Sequence, residues 1–291
     1  VDTSYAFFRR SNDYGATLDS ALFLGKGWPV TIDAKRESVY IDPIVGNPPP
    51  IWGAYLLYSF DGGLNWSSYF PVSDSTDEPN IVYRNGILHF AGSSDYKIIY
   101  TRSTDLGNSW SNPTIITAPN THLPKRPNLA LGPEQDVYIA WTDNKFGGGM
   151  LFDDVMFRKS TDDGLTWGVE QRLTPDSRCD AGGALDMVSQ DSMIFIVWEY
   201  NGPVSPASCS LFFLASTDCG ENWRERELVK GGEFGLHDAD VSATQSYVYV
   251  SWEDNEDSLY TYSGDLRIRR GSFTPPGIEE RASVSVSSLK V

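Results

Sequence analysis

Short runs rich in apolar, β-branched and aromatic residues, each closed by polar turn residues, recur along this chain. The clearest passage opens at Arg126. Residues 127–131 read as a short strand and 132–135, Gly-Pro-Glu-Gln, as a turn. Residues 136–141, rich in β-branched and aromatic side chains, read as a second strand. A longer loop over 142–152 leads to a third strand at 154–159, and 169–173 is the fourth. The same order recurs. Second strands are predicted at 38–41, 87–91, 194–198 and 248–252, and third strands at 54–58, 97–102 and 211–215.

Between third and fourth strands stands a repeated frame, Ser-x-Asp-x-Gly-x-x-Trp. It runs from Ser59 to Trp66, Ser103 to Trp110, Ser160 to Trp167 and Ser216 to Trp223. A worn copy starts at Ser11 and ends in Leu18. The motif aspartates Asp13, Asp61, Asp105, Asp162 and Asp218 lie 48, 44, 57 and 56 residues apart. Four antiparallel strands in a period of that size predict the blade of a β-propeller. The N-terminal copy starts at its third strand, 5–10. The last has strands at 240–243, 247–252 and 266–270 but no Asp motif. Counting both gives an all-β propeller of six blades over residues 1–273, with five as the alternative. Residues 274–291, with a β-like stretch at 283–291, would close the first blade or link to a further domain.

The motif reads as a turn staple. The Asp carboxylate is placed to accept backbone N–H groups within the turn, and the Ser hydroxyl adds a local bond. Gly permits φ > 0. Trp66, Trp110, Trp167 and Trp223 would pack over the turn and pin it against the blade. A group repeated in every copy is a poor candidate for chemistry needed once.

Composition narrows the partners. The net charge of −16 opposes a phosphate backbone, so no nucleic acid is expected. No run of about 18 apolar residues is present to span a membrane. The chain opens at Val1, as a processed product or excised piece would. An odd three cysteines without CxxC spacing argue against structural zinc. Cys179 precedes a first strand and Cys209 the third strand of the same blade, so both map to one face. A Cys179–Cys209 disulfide is expected, with Cys219 unpaired and an oxidising compartment implied.

The Ser-x-Asp-x-Gly-x-x-Trp frame resembles the Asp-box, or bacterial neuraminidase repeat, of the sialidase superfamily. The resemblance covers about residues 5–252 and implies a β-propeller. For a sialidase it implies an arginine triad, a Tyr–Glu nucleophile pair and an Asp acid/base. The nearest match is Arg126-Pro127, then Asp143-Asn144-Lys145 after the second strand, then Asp153 and Asp154 in the following loop. Lys145 stands where the family has Arg, and the match falls mid-chain. Arg126, Asp143, Asp153 and Asp154 are therefore the catalytic candidates. The loop face opposite the Asp motifs would hold the ligand-binding candidates Trp52, His122, Lys125, Arg126, Arg178, Asp180 and His237. No cofactor is required. The acidic loops 74–78 and 254–257 read as solvated charge, with calcium as the alternative.

Three functions are open to such a chain. The first is a non-catalytic extracellular or cell-surface propeller that binds carbohydrate or protein. The others are a sialidase-like exo-glycosidase and a structural module of a larger surface assembly.

Overall fold

A computed structural model describes residues 5–272 apart from 14–15, 29–31, 36–37, 42–43, 46–52, 69, 74–75, 120–121, 147–152, 175–182, 202–208, 233–235 and 255–264. All regular structure among the described residues is β. The chain divides into two compact units, Val1–Ile116 and Thr117–Val291.

The first unit contains β1 (Tyr5–Phe8), β2 (Leu22–Trp28), β3 (Ile32–Lys35), β4 (Ser38–Ile41), β5 (Ile44–Val45), β6 (Gly53–Ser59), β7 (Phe70–Ser73), β8 (Asp77–Arg84), β9 (Ile87–Ser94), β10 (Lys97–Ser103) and β11 (Thr114–Ile115). Strands β8 to β11 form a four-stranded antiparallel sheet in consecutive order. The repeat spacing predicts separate blades before them, but the first two copies share one seven-stranded sheet. The reason is the two-residue β5. It pairs with β2 on one side, Gly27 facing Val45, and with β6 on the other, Ile44 facing Ala54.

The second unit contains β12 (Lys125–Leu131), β13 (Val137–Asp143), β14 (Asp154–Ser160), β15 (Gln171–Arg172), β16 (Leu185–Gln190), β17 (Met193–Asn201), β18 (Cys209–Ser216), β19 (Glu227–Gly232), β20 (Leu236–Ala243), β21 (Tyr247–Asp254) and β22 (Asp265–Ser272). They form two four-stranded sheets and one three-stranded sheet, each in consecutive antiparallel order. The strands predicted among the described residues of this unit are all present, most of them longer by one to four residues, and the β-like stretch at 283–291 lies outside the described residues. The fourth strand of the first sheet is the exception, at two residues.

Within this unit successive sheets stack, and the first strands β12, β16 and β20 adjoin. Alternation along β17 explains the stack. Ile194, Ile196 and Trp198 pack with Tyr138, Ala140, Val155 and Phe157 of the sheet before. Met193, Phe195 and Val197 pack with Val241, Val248, Val250 and Trp252 of the sheet after. Both faces are covered, so the strand reads as a continuous apolar run.

Each Asp motif forms the turn that its residues predict. Ser160 Oγ donates to Asp162 Oδ1 at 2.7 Å and accepts from Gly164 N at 2.9 Å. The Asp162 carboxylate accepts from Thr166 N at 2.8 Å and Thr166 Oγ1 at 2.5 Å. Equivalent Ser–Asp bonds form at Ser11, Ser59, Ser103 and Ser216. Hydrogen bonds from the residue four positions on hold the Asp13, Asp61 and Asp105 carboxyls down at about 2.

Within each unit the turn glycines Gly63, Gly107 and Gly220, and the tryptophans Trp66 and Trp223, face the preceding copy, rather than pinning the turn only to its own blade. A Cβ on Gly63 would stand 2.5 Å from the Phe8 ring, on Gly107 2.7 Å from Leu56, and on Gly220 2.8 Å from Phe157. Phe8, Leu56 and Phe157 each lie three residues before the motif Ser of the copy before. Trp66 meets the edge of Phe8 and Trp223 that of Phe157, both at 5.0 Å between centroids. Trp223 Nε1 also donates to Gln171 Oε1 at 3.1 Å, across to the neighbouring sheet.

Two glycine substitutions separate backbone strain from this contact. Gly86 has φ of 89° and open space around it, and Gly220 has φ of 82° against Phe157. Gly86→Ala should cost about 1 kcal/mol. Gly220→Ala should cost roughly 2–4 kcal/mol because overpacking is added to strain. Denaturant midpoints of the two variants test this, and equal losses would show that the joint is loose.

Candidate functional site

The register of β13 and β14 places Val137 and Ser160 at the motif end of the sheet, and Asp143 and Asp154 at the other. Lys125, at the start of β12, faces Thr142 at that second end. Four predicted site residues, Arg126, Asp143, Asp153 and Asp154, therefore converge with Lys125 on one sheet end.

A backbone irregularity shapes this end. Arg126 adopts φ of 52° in a bulge between Lys125 and Asn128. The same bulge recurs in β8 with Glu78 at 50°, and in β20 with Asp238 at 54°. The extra residue breaks the strict alternation of the strand and re-aims the side chains beside it. Lys125 Nζ stands 3.4 Å from Asp153 Oδ2, and the charges of Lys125 and Arg126 both act on that carboxyl.

Three carboxyls are buried here. Asp143 accepts from Lys145 N at 3.0 Å and His122 N at 3.3 Å. Asp154 accepts from Thr174 Oγ1 at 3.0 Å and pairs with Arg172 Nε at 3.0 Å. Burial raises both Asp153 and Asp154 above the usual carboxylate range, against the pull of the nearby cations. Asp153 Oδ1 is buried without a hydrogen-bond partner among the described residues. Lys145 pairs with Glu170 Oε1, and burial lowers its ammonium. Phe146 is 47 % exposed, with the Arg172 guanidinium 4.5 Å and the Lys145 ammonium 5.0 Å from its ring centre. Lys125, Lys145 and Arg172 thus each face a carboxylate.

His122 joins the site through its backbone N–H, and its side chain is exposed. His237 is exposed on β20, in another sheet. Trp52, Arg178, Asp180 and Cys179 lie outside the described residues, as does the Cys209 side chain. Cys219 forms no disulfide. Among the described residues no three His, Cys, Asp or Glu side chains are grouped to hold a metal ion. Glu170, Arg172 and Thr174 are site residues that the motif reading passes over. Their spacing at every second position, 170, 172 and 174, is the available signal.

A second set of acids stitches the first strands together. Asn128, Asp186 and Asp240 hold equivalent ladder positions, facing Ala140, Val197 and Ser251. Asp186 accepts from Asn128 Nδ2 at 2.7 Å and Val241 N at 2.8 Å. Burial, followed by a hydrogen bond shared with Asp240, raises Asp186 to about 7. Glu199 accepts from Ala184 N at 3.0 Å and Ala239 N at 3.1 Å, and burial raises it too. A polar residue directly before an apolar one in each first strand, Asn128-Leu129, Asp186-Met187 and Asp240-Val241, is the trace of this seam in the sequence.

No protein-family model matches the sequence, and no curated protein does. Solved structures match in fold. The α-L-arabinanase of Penicillium chrysogenum, complexed with arabinobiose, is 16 % identical with a TM-score of 0.59, over 86 % of this chain and 81 % of that one. A Hadza microbial sialidase is 14 % identical with a TM-score of 0.52, over 81 % of this chain and 54 % of its own. A protein of unknown function from Dyadobacter fermentans is 17 % identical with a TM-score of 0.50, over 67 % and 65 %. This chain therefore spans less than two thirds of the last two. The likeness is one of fold, to β-propeller enzymes of the sialidase and arabinanase kinds.

The seam predicts a pH dependence of stability. The folded chain holds the Asp186 proton more tightly than the unfolded chain, so stability falls as pH rises from about 4 to about 7. Glu199, Asp153 and Asp154 act with the same sign. The turn carboxyls Asp13, Asp61 and Asp105 act with the opposite sign, below about pH 4. Asp240→Asn removes the neighbouring acid and should flatten part of the fall. Thermal midpoints between about pH 4.5 and 7.5 check this, and parallel curves for the two proteins would refute it.

Proposed function

We propose that this chain is a carbohydrate-directed propeller of the Asp-box type, with six repeats, five of which carry the Asp motif. In this reading it binds glycan outside the cell or at its surface, through the charged sheet end at Lys125, Asp143, Phe146 and Asp153. The observation that carries the reading is Asp153 Oδ1, a buried acceptor without a partner among the described residues, beside the Lys125 ammonium. A sugar hydroxyl donates to such an oxygen and accepts from such a cation. The exposed Phe146 ring, seated on Arg172, offers an apolar platform for the C–H face of a pyranose or furanose. Because three cations at this end already face carboxylates, the site suits hydroxyl-rich neutral sugars better than a bare anion. The fold likeness to a sialidase and to an arabinanase holding arabinobiose supports a carbohydrate ligand.

A hydrolytic reading has its own support. Asp153 and Asp154 are carboxyls raised by burial, and a glycosidase needs a carboxyl that keeps its proton near neutral pH.

Calorimetric titration with arabinobiose and a panel of neutral oligosaccharides tests the binding reading. Asp153→Asn and Phe146→Ala should each weaken binding by about tenfold or more, or roughly 1.4 kcal/mol, with thermal midpoints little changed. Equal affinity for both variants and the parent would overturn it. Turnover of chromogenic arabinosides or sialosides that disappears in Asp153→Asn would favour hydrolysis, and binding without turnover would remove it. The extracellular setting goes with a Cys179–Cys209 disulfide. Peptide mapping without reduction should recover that link, and a Cys209–Cys219 link would contradict it.

A further inference from the structure

Four copies in this chain end their third strand on the motif serine: β6 on Ser59, β10 on Ser103, β14 on Ser160 and β18 on Ser216. In all four the fourth strand starts eleven residues later, at Phe70, Thr114, Gln171 and Glu227. The register is also shared. The residue three before the serine faces the first residue of the fourth strand: Leu56 with Phe70, Tyr100 with Thr114, Phe157 with Gln171 and Phe213 with Glu227. The next pair is apolar on both strands in Ile99 with Ile115 and Phe212 with Leu228.

Strand β22 also ends on a serine, Ser272, but its sheet is β20, β21 and β22 only, and no described strand lies along its outer edge. Two apolar side chains on one face of β22 are exposed, Leu266 at 40 % and Ile268 at 37 %. Arg269, between them and the strand end, reaches back to Val229 O of β19 at 3.2 Å. Eleven residues beyond Ser272 stands Ser283, where the sequence becomes Ser-Val-Ser-Val-Ser-Ser-Leu-Lys-Val. Its alternation begins at the position the other four copies specify. The ten residues between include Pro275-Pro276-Gly277, a turn sequence in place of the Asp turn.

We propose that the outer edge of β22 is the seat of this chain's own residues 283–291, paired antiparallel with Arg269 facing Ser283 and Ile268 facing Val284. The occupant is argued from spacing, from alternation and from the Ile268–Val284 pair, which repeats the apolar pairs of the sister sheets. Covering this edge removes a template for pairing between copies. The segment therefore completes the last sheet, not the first.

The register can be read by cross-linking in the full chain. Directly opposed residues of an antiparallel ladder have Cα atoms about 4.5–5.5 Å apart, within disulfide reach. Ile268→Cys with Val284→Cys should close an intramolecular disulfide on mild oxidation, found by peptide mapping without reduction. Ile268→Cys with Ser285→Cys should not, because the second side chain points to the other face. Hydrogen exchange on the unaltered chain gives a second readout. Amides of 283–287 should be protected to the level of β22. Exchange of 283–287 at the rate of an unstructured peptide would overturn the proposal. So would equal cross-linking of both pairs, or links that form only between two molecules.

Discussion

Within each unit, the contact on which the repeats depend is the docking of a motif turn onto the third strand of the copy before it. The turn satisfies its own polar groups: Ser160 and Asp162 accept the N–H groups of Gly164 and Thr166, and the other copies do the same. A turn with its donors answered locally can present glycine and tryptophan to a neighbour without leaving buried N–H groups unpaired. Phe157 then fills the space that a side chain at Gly220 would need, and Trp223 closes over its edge. Sheets held this way bury both faces of a strand such as β17. That places β12, β16 and β20 side by side in the second unit.

Aspartates serve two opposite ends in this architecture. In the turns they are surrounded by hydrogen-bond donors, which favours the charged form. In the seam the acids are desolvated and, at Asp186, paired with a second acid, which favours the neutral form. Buried acids bridging strands are weak contributors to stability, since desolvation offsets their hydrogen bonds. What they supply is register. Glu199 accepts the N–H of Ala184, just ahead of β16, and that of Ala239 in β20, and Gly183 is required because a Cβ there would lie 1.9 Å from Glu199 Oε2.

Much of this was legible in the sequence because it is local. The turn residues around 132–135 and 160–167 delimit β12, β13 and β14 to within a few residues, and strand direction alone brings Arg126, Asp143, Asp153 and Asp154 to one end. The joining of the first two copies was not legible. It depends on Ile44 and Val45, two residues too short to show any period. Arg172 and Thr174 escaped notice because the fourth strand of that sheet pairs over two residues only. Asp186 and Glu199 have their partners in neighbouring sheets, and no spacing within one copy reveals a partner in the next.

The bulge that carries Arg126 holds Glu78 in one sister sheet and Asp238 in another, all with left-handed backbone. Beyond it each strand resumes the same ladder, with Asn80, Asn128 and Asp240 in equivalent places. The kink thus works as a clutch between two parts of one strand. The inner part must keep its phase to pack, while the outer part can change from acid to base without disturbing it. Repeats of one pattern can in this way differ in charge at a single rim position while all of them keep the same shape.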